Sequence, residues 1–288
     1  MLEKLFLSVG AMKAGTTWLN HQLADHPEIL FSPEKEIHYF SAPNGETHPM
    51  RLEDRVRRFK RVVGNVNPDR YTRRVRFNMT WYTRRYLAPK VNQAWYEALF
   101  AHRQPGQWCA DFSNLYCLLD ADGWQRVHET AEEVRALYTL RHPLKRMWSH
   151  VVFHHEFAGA PVDLANWSQT DFERFFSRGR EGAHGDYAAN LARLRANLSE
   201  EELKVLFFET VRTEPQAVLN GVEQFLGIAE REYARGRLER QVNPSKPQPM
   251  PQAFIDYAAP IHEAQMRKLT TMGLKVPEAW ELDLLRIS

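Results

Sequence analysis

Short apolar runs recur along the chain and are separated by longer segments of mixed polarity. Five of these runs are "KLFLSV" (4–9), "EILFS" (28–32), "QWCADFS" (107–113), "EVRALYTL" (133–140) and "LKVLFFE" (203–209). Runs of this length and apolar character are typical of strands that are buried on both faces of a sheet. The pattern therefore predicts five strands.

The segments between these runs carry the spacing and the end signals of helices. The sequence contains no internal repeat and no dividing linker, so we expect a single domain over residues 1–288. Strands that alternate with helices predict an α/β fold, with a central parallel β-sheet and helices on both faces. Helices are predicted from Thr16 or Thr17 to before His26, from Pro143 onward, within 171–179 and 186–198, from about Pro215 to Phe225 with Gly227 closing it, and from about Phe254 to Leu269.

The bulk composition is that of an ordinary globular protein. Hydrophobic residues make up 43% of the chain and charged residues 26%, and the formal net charge is only +2. A net charge this small gives no whole-molecule attraction to nucleic acid, so no nucleic-acid partner is expected.

The sequence predicts a cytoplasmic protein without a transmembrane segment. Residues 1–9 lack the basic leader, apolar stretch and cleavage site of a signal peptide, and the apolar runs fall far short of the ~20 residues that span a bilayer. Cys109 and Cys117 are the only cysteines, too few for a zinc cluster or a disulfide framework. Two reduced thiols are typical of the cytosol.

Residues 51–86 are unusually rich in arginine. Two interpretations stay open at this point: solvated helix faces, or a basic wall beside an anionic ligand. The aromatic residues that follow also fit either a core or a ligand pocket, and they are Phe77, Trp81, Tyr82, Tyr86, Trp95 and Tyr96.

The stretch "SVGAMKAGTTWL" (8–19) has the parts of an anion cradle. A strand, a glycine-containing loop and a helix N-terminus direct several backbone N–H groups to one place, and Lys13 adds a positive charge. The alternative is a tight turn whose glycines serve only geometry. A Walker A loop reads G-x-x-x-x-G-K-[ST], whereas Lys13 precedes Gly15 here, which weighs against binding of a nucleoside triphosphate.

Four segments, in the same order, resemble the sulfotransferase family. "MKAGTTWL" (12–19) resembles the loop that binds the 5′-phosphosulfate of 3′-phosphoadenylyl sulfate (PAPS), and "LRHPLKRMWSH" (140–150) resembles the signature that binds the 3′-phosphate. Residues 203–228 resemble the strand and helix that close the family's core, with Glu209 as a structural hydrogen-bonding partner. "EKEIHYF" (34–40) resembles a stretch of the carbohydrate, heparan-type branch.

The resemblance implies a P-loop-like strand–loop–helix in a sulfotransferase fold and a set of residues that bind PAPS. Trp18 has two possible roles, because packing under the loop and contact with adenine fit equally well. Lys246 belongs to a C-terminal basic loop that closes over the nucleotide in the family. The implied set is Lys13, Ala14, Gly15, Thr16, Thr17 and Trp18 in the loop, Arg141 and Ser149 at the 3′-phosphate, and Lys246.

The resemblance also implies three catalytic residues. Glu36 corresponds to the base of the carbohydrate branch, and His38 would orient it or contact the acceptor, since both face one side of an extended segment. Partial burial would have to raise the pKa of Glu36 for efficient proton abstraction at pH 7. Lys13 would stabilise the bridging oxygen. Without the resemblance, "EKE" (34–36) reads as a solvated charge run.

The sequence thus predicts a PAPS-dependent sulfotransferase that acts on a hydroxyl, less readily an amine, of a carbohydrate, glycolipid or small molecule. The alternatives are an ATP-dependent kinase of the P-loop type and a non-catalytic protein that grips anionic glycans or lipids through residues 51–86. His150 and His154 have the i, i+4 spacing of zinc ligands, but no third ligand is apparent, so no metal is expected.

Overall fold

In the computed structural model of this protein, the five predicted strands form one parallel sheet. The strand order is β2-β3-β1-β4-β5. The structure describes residues 1–42, 50–67, 72–158, 163–177, 182–240, 242 and 248–281, with the backbone alone at 157–158. The strands are β1 (Leu2–Gly10), β2 (Ile29–Phe31), β3 (Trp108–Phe112), β4 (Ala131–Leu140) and β5 (Leu203–Phe207).

Helices cover both faces of the sheet. Along β1, Leu5, Leu7 and Val9 point into one apolar cluster while Phe6 points into another, as the two-residue period of a strand requires. The α-helices are α1 (Thr16–Leu23), α2 (Leu52–Gly64), α3 (Arg73–Trp81), α4 (Gln93–Leu99), α5 (Ala121–Thr130), α6 (Pro143–Ala158), α7 (Gln169–Ser177), α8 (Tyr187–Asn197), α9 (Phe208–Thr213), α10 (Pro215–Leu226), α11 (Arg235–Leu238) and α12 (Gln252–Thr271).

The two clusters take different helices. The first packs α4, α5 and α8 against the sheet, and the second packs α1 and α10 against the opposite face. The predicted fold class, an α/β domain with a central parallel sheet and helices on both faces, is therefore confirmed.

Element ends differ from prediction at one informative place. The run "LKVLFFE" continues to residue 209, but β5 ends at Phe207 and α9 begins at Phe208. The apolar run does not show where the strand ends, because Phe208 is apolar for a different reason. Its ring packs against the loop before α1. Gly227 does close α10 in the left-handed conformation, as predicted.

The arginine-rich region forms α2, α3 and a short π-helical segment, Tyr82–Tyr86. Neither solvated helix faces nor a basic wall beside a ligand describes all of its arginines. Arg55 is 1% exposed and donates to the carbonyl oxygens of Met50 and Ala88, so it is a structural residue. Arg58 donates to the carbonyl oxygen of Glu36 at 2.6 Å, which attaches α2 to the Glu36 segment.

The aromatic residues of 77–96 belong mainly to the core. Five of the six have side chains no more than 5% exposed, and Phe77 is exposed. The pocket interpretation is therefore wrong for most of them. The five buried rings are Trp81, Tyr82, Tyr86, Trp95 and Tyr96.

The sheet brings three loops to one edge. β1 lies between β3 and β4, and all three strands run in the same direction. Ser113 N–H donates to the Ser8 carbonyl at 3.1 Å, and Ala11 N–H donates to the Thr139 carbonyl at 2.8 Å. The loops that follow these strands are therefore neighbours at the carboxyl edge, where open α/β sheets bind their ligands.

Within the described part of the chain, no helix has both the length and the apolar composition that a membrane crossing requires.

Candidate active site

The loop between β1 and α1 presents unpaired backbone N–H groups. Gly15 adopts a left-handed conformation with φ 84°, and its carbonyl accepts from the N–H groups of Trp18 and Leu19. The N–H groups of Gly15, Thr16 and Thr17 have no acceptor among the described residues, as expected for the first turn of a helix. Together with the positive end of the α1 dipole, they can bind an anion.

Gly15 is required here for close packing as well as for its conformation. A Cβ at this position would lie 2.6 Å from Cδ2 of Phe208. The ring of Phe208 therefore lies directly against the loop backbone. Phe208 is the first residue of α9, so this contact joins the end of β5 to the loop.

We expect Gly15→Ala to lower the free energy of unfolding by roughly 2–4 kcal/mol, because it adds a clash to the cost of a left-handed alanine. Gly227→Ala is the matched control, since Gly227 has φ 63° but nothing within 4 Å of a Cβ. The control should cost only about 1 kcal/mol. Chemical denaturation measures both, and equal losses would show that Phe208 moves aside freely.

Lys13 lies in this loop with its side chain directed toward α6. Its backbone has φ 67°, and its Nζ lies 4.1 Å from the centroid of the Phe153 ring. Burial lowers the pKa of Lys13, the charge of Arg141 lowers it further, and Glu156 opposes both. The ammonium thus sits where an additional negative charge would stabilise it.

Arg141 follows β4 and is attached directly to the loop. Its Nη1 donates to the carbonyl oxygen of Lys13 at 3.0 Å, and its guanidinium lies 4.9 Å from the centroid of the Phe208 ring. The hydroxyl of Tyr187 accepts from Arg141 N–H at 3.3 Å and donates to the Arg141 carbonyl at 2.8 Å. Four contacts therefore fix this arginine beside the cradle.

The remaining predicted binding residues have different surroundings. Ser149 lies on α6 and is 9% exposed, and Thr16 is nearly buried beside Thr17 at the start of α1. Ala14 N–H is already used by the Ala11 carbonyl. Lys246 lies outside the described residues.

Trp18 packs in the core. Its side chain belongs to the cluster formed by α1 and α10, and its Nε1 donates to the carbonyl oxygen of Leu238 at 3.2 Å. Its backbone N–H is used by Gly15. This placement favours the packing alternative over contact with adenine.

Glu36 lies at the carboxyl end of β3 and is not a solvated charge. Its Oε2 accepts from Asn114 N–H at 2.8 Å and lies 3.2 Å from His38 Nε2. Its Oε1 accepts from Lys35 Nζ at 2.9 Å and from Asn114 Nδ2 at 3.3 Å. The solvated alternative for this segment is therefore wrong, since the Glu36 side chain is only 25% exposed.

The contact between Glu36 and His38 was expected, but the backbone that makes it was not. Both residues adopt φ 61° rather than an extended conformation. The pKa of Glu36 also departs from expectation. Burial acts to raise it, but the charges of Lys35 and His38 and the Asn114 N–H together hold the pKa below its ordinary value. Glu36 is thus ionised at neutral pH and is a weak base.

Comparison with known families decides the assignment. The sulfotransferase family model matches residues 6–232, which include the loop, the Glu36 segment and Arg141. The chain belongs to the sulfotransferase family. A family of sulfuryl-transferring enzymes fits a site that pairs an anion cradle with a carboxylate.

Solved structures resemble this sulfotransferase in fold. A sulfotransferase from Alicyclobacillus acidocaldarius is 21% identical, with 98% of this chain and 100% of that chain covered and a TM-score of 0.65. A sulfotransferase domain from the curacin biosynthetic pathway is 17% identical, with 99% and 96% covered and a TM-score of 0.55. A sulfotransferase domain from the Synechococcus PCC 7002 olefin synthase is 15% identical, with 96% and 98% covered and a TM-score of 0.58. No curated protein sequence matches the chain.

The end of β3 supports the Glu36 segment of this sulfotransferase through a buried network that sequence reasoning missed. Asp111 is 1% exposed and accepts from Tyr96, Tyr116 and Ser113, the last at 2.6 Å. Ser113 Oγ in turn accepts from His38 N–H at 2.9 Å. The sequence signal is "DFSN" (111–114). The side chains of Ser113 and Asn114 contact the Glu36 segment, and Asp111 accepts from Ser113.

Burial raises the pKa of Asp111 to about 6, although hydrogen bonds from Ser113, Tyr116 and Tyr96 lower it in part. A raised pKa means that the fold favours the protonated form, so ionisation costs stability as the pH rises through 6. We expect wild type to lose about 2 kcal/mol relative to Asp111→Asn between pH 4.5 and 7.5. Denaturant unfolding of both at each pH checks this. Parallel pH profiles would contradict the raised pKa.

The three predicted catalytic residues share one backbone property. Lys13, Glu36 and His38 are the non-glycine residues with positive φ in the described ranges. Such conformations cost energy for L-residues and cluster at functional sites. The loop and the Glu36 segment therefore share this unusual backbone conformation.

The two histidines with zinc-like spacing pack against the same aromatic ring. Burial, together with the nearby charges of Arg146, His184, His154 and Lys13, lowers the pKa of His150 to about 3. His150 and His154 both lie edge-on to the Phe175 ring, with centroid distances of 6.0 Å and 5.2 Å. No group of three metal-ligating side chains is found among the described residues.

Proposed function

We propose that this sulfotransferase uses PAPS as donor and transfers the sulfuryl group to a hydroxyl, less readily an amine, of a carbohydrate, glycolipid or small molecule. The observation that carries the proposal is the convergence of two unlike sites at the carboxyl edge. The ends of β1 and β4 bring Lys13, Arg141 and free N–H groups together, and the end of β3 holds Glu36.

The residues fit the donor by charge and shape. The unpaired N–H groups of Gly15, Thr16 and Thr17 suit the 5′-phosphate. Gly15 has no Cβ, so the Phe208 ring can pack directly against the loop that would hold this phosphate. Arg141, with Ser149, would hold the 3′-phosphate. PAPS supplies an activated sulfuryl group whose S–O bond to the 5′-phosphate breaks as the bond to the acceptor oxygen forms.

Each catalytic residue then has one task. Glu36 accepts the proton that the acceptor oxygen loses, and His38 orients the carboxylate through its contact with Oε2. Lys13 stabilises the electron pair that remains on the departing phosphate oxygen. A weak base suffices if the transition state is loose, as in phosphoryl transfer, where positioning and electrostatics supply most of the acceleration.

Oε1 of Glu36 is the oxygen we assign to the acceptor. It accepts from the Lys35 ammonium at 2.9 Å and from Asn114 Nδ2 at 3.3 Å, which is the longer of the two Asn114 hydrogen bonds. Oε2 is committed to Asn114 N–H and His38. An acceptor hydroxyl therefore displaces Asn114 Nδ2, which is the most distant of the four nitrogens that contact the Glu36 carboxylate.

Release of 3′-phosphoadenosine 5′-phosphate (PAP) from PAPS in the presence of an acceptor panel tests the proposal. The panel contains a neutral sugar, a uronic acid, an alkyl alcohol, a phenol and an amine, each with an acceptor-free control. Calorimetry compares PAP with ATP–Mg²⁺, and the proposal requires tight binding of PAP only. Binding of ATP–Mg²⁺ in preference to PAP would favour a kinase, and PAP binding without transfer would favour a non-catalytic protein.

A further inference from the structure

The small net charge of the chain conceals one strongly basic region, residues 51–90. This region contains thirteen arginines and lysines but only three acidic residues, so its formal net charge is +10. The rest of the chain therefore sums to −8, since the whole carries +2. A charge asymmetry of this size attracts anionic surfaces locally, although the total charge does not.

The positive charges at the start of α3 do not stabilise that helix. Arg73, Arg74 and Arg76 lie in its first turn, which contains no acidic residue. Cations at a helix N-terminus interact unfavourably with the helix dipole. All three side chains are exposed, and none has an acidic partner among the described residues. Since these charges support neither the helix nor an ion pair, they favour a role in binding.

Exposed apolar side chains lie in the same region. Four large apolar side chains are exposed in the described part of the chain, and three of them belong to residues 51–90, namely Leu52, Val63 and Phe77. Phe77 follows Arg73 by four residues and Arg74 by three, so these side chains share one face of α3. An exposed aromatic ring beside unpaired arginines is typical of helices that lie on a membrane surface.

A basic cavity of about 480 Å³ is connected to this face of α3. The ring centroids of Phe77 and His102 lie 5.0 Å apart, and Arg85 Nη2 lies 3.3 Å from His102 Nε2. Arg85 also donates from Nη1 to a backbone carbonyl of α4 at 2.7 Å, which fixes its guanidinium in the cavity wall. Arg84 and Lys90 add two further positive charges, and the described lining residues include no acidic one. The cavity therefore has the size and charge to hold an anionic headgroup.

We propose that Arg73, Arg74, Phe77 and this cavity form a surface that binds membranes containing anionic lipids. The arginines are attracted to the negative membrane surface, the Phe77 ring enters the interface, and a phosphate-bearing headgroup occupies the cavity. A soluble polyanion would gain from the charges but not from the exposed ring, so the observations favour a membrane. None of these residues belongs to the candidate active site, so the proposal goes beyond sulfuryl transfer and does not depend on it.

Sedimentation with vesicles tests the proposal on the full chain, without nucleotide. Wild type should bind vesicles of phosphatidylcholine that contain about 30% phosphatidylserine, and it should not bind vesicles of phosphatidylcholine alone. Added salt should weaken this binding, because the charges are exposed. Arg73→Gln/Arg74→Gln/Arg84→Gln should bind the anionic vesicles roughly 100-fold more weakly. Its melting temperature should not fall, since two of the removed charges oppose the α3 dipole.

Arg267→Gln/Lys268→Gln/Lys275→Gln is the matched control, because it removes the same charge from exposed positions outside residues 51–90. It should bind the anionic vesicles as wild type does. Phe77→Ser should weaken vesicle binding roughly fivefold and leave binding to heparin unchanged, which separates a membrane surface from a site for a polyanion. Equal losses in the two triple variants, an unchanged vesicle affinity in Phe77→Ser, or binding of heparin without binding of anionic vesicles would overturn the proposal.

Discussion

Glu36→Gln is expected to lower kcat by roughly 10²–10⁴-fold and to leave the Kd for PAP unchanged. Glutamine keeps the size of the side chain and an oxygen that accepts from Asn114, but it cannot take a proton from the acceptor. The groups that would bind the nucleotide are the loop N–H groups, Lys13 and Arg141, so the affinity for PAP should not depend on the Glu36 carboxyl group. Steady-state transfer assays and PAP calorimetry measure the two quantities.

Glu34→Gln is the control for this experiment. Glu34 is a carboxylate two residues away, held by the Tyr82 hydroxyl at 2.6 Å and by Arg58 at 3.1 Å. Its amide variant keeps one oxygen that can accept from Arg58, and the Tyr82 hydroxyl can rotate to accept from the amide N–H, so kcat should stay close to wild type. An active Glu36→Gln enzyme, or an equal loss in the two variants, would remove Glu36 as the base.

Lys13→Met is expected to lower kcat by about 10²–10³-fold and also to weaken PAP binding. The ammonium lies in the cradle itself, so its charge acts on the bound nucleotide and more strongly on the transition state. Burial and Arg141 lower the pKa of Lys13, so wild-type activity should fall on the alkaline side before the ordinary lysine range is reached. The pH profile of kcat/KM for the donor, which reports ionisations of the free enzyme, tests that limb.

Lys4→Met is the control for Lys13. Lys4 lies near the start of β1, at the opposite end of the strand from the cradle, and its partner is Glu133 at 4.0 Å. It should affect neither kcat nor PAP affinity. Normal turnover in Lys13→Met would assign stabilisation of the departing oxygen to the loop N–H groups alone.

Three strands were predictable because most of their residues are buried on both faces of the sheet, namely β1, β3 and the second half of β4. Such positions admit few polar side chains, so these strands are visible in the sequence as mainly apolar runs. The strand order was not predictable in the same way, since it depends on pairing between segments far apart in sequence. The placement of β1 between β3 and β4 is what gathers the site.

The family resemblance identified the Glu36 segment but not its conformation. The left-handed turn at His38 is held by Ser113, which is 75 residues away, and Glu36 is held by Asn114. An alternation rule treats the segment as extended because it contains no information about these partners. The correct contact was therefore predicted from an incorrect backbone.

Arg146 shows a different limit. It lies within "LRHPLKRMWSH" (140–150), between Arg141 and Ser149, and sequence cannot distinguish a paired arginine from an unpaired one. In the structure, none of its three guanidinium nitrogens has a hydrogen-bond partner among the described residues. Trp18 is the reverse case, a residue of the resemblance that the core uses instead.

Lys13, Glu36 and His38 have a left-handed backbone, so selection for stability alone would not favour these residue types. Glycine is the residue that such φ values favour, and it would relieve the strain at each position. It would also remove the ammonium, the carboxylate or the imidazole. A redesign that maximises stability alone would therefore choose glycine at all three positions and remove the side chains to which we assign catalysis, so we expect such a redesign to be more stable and inactive.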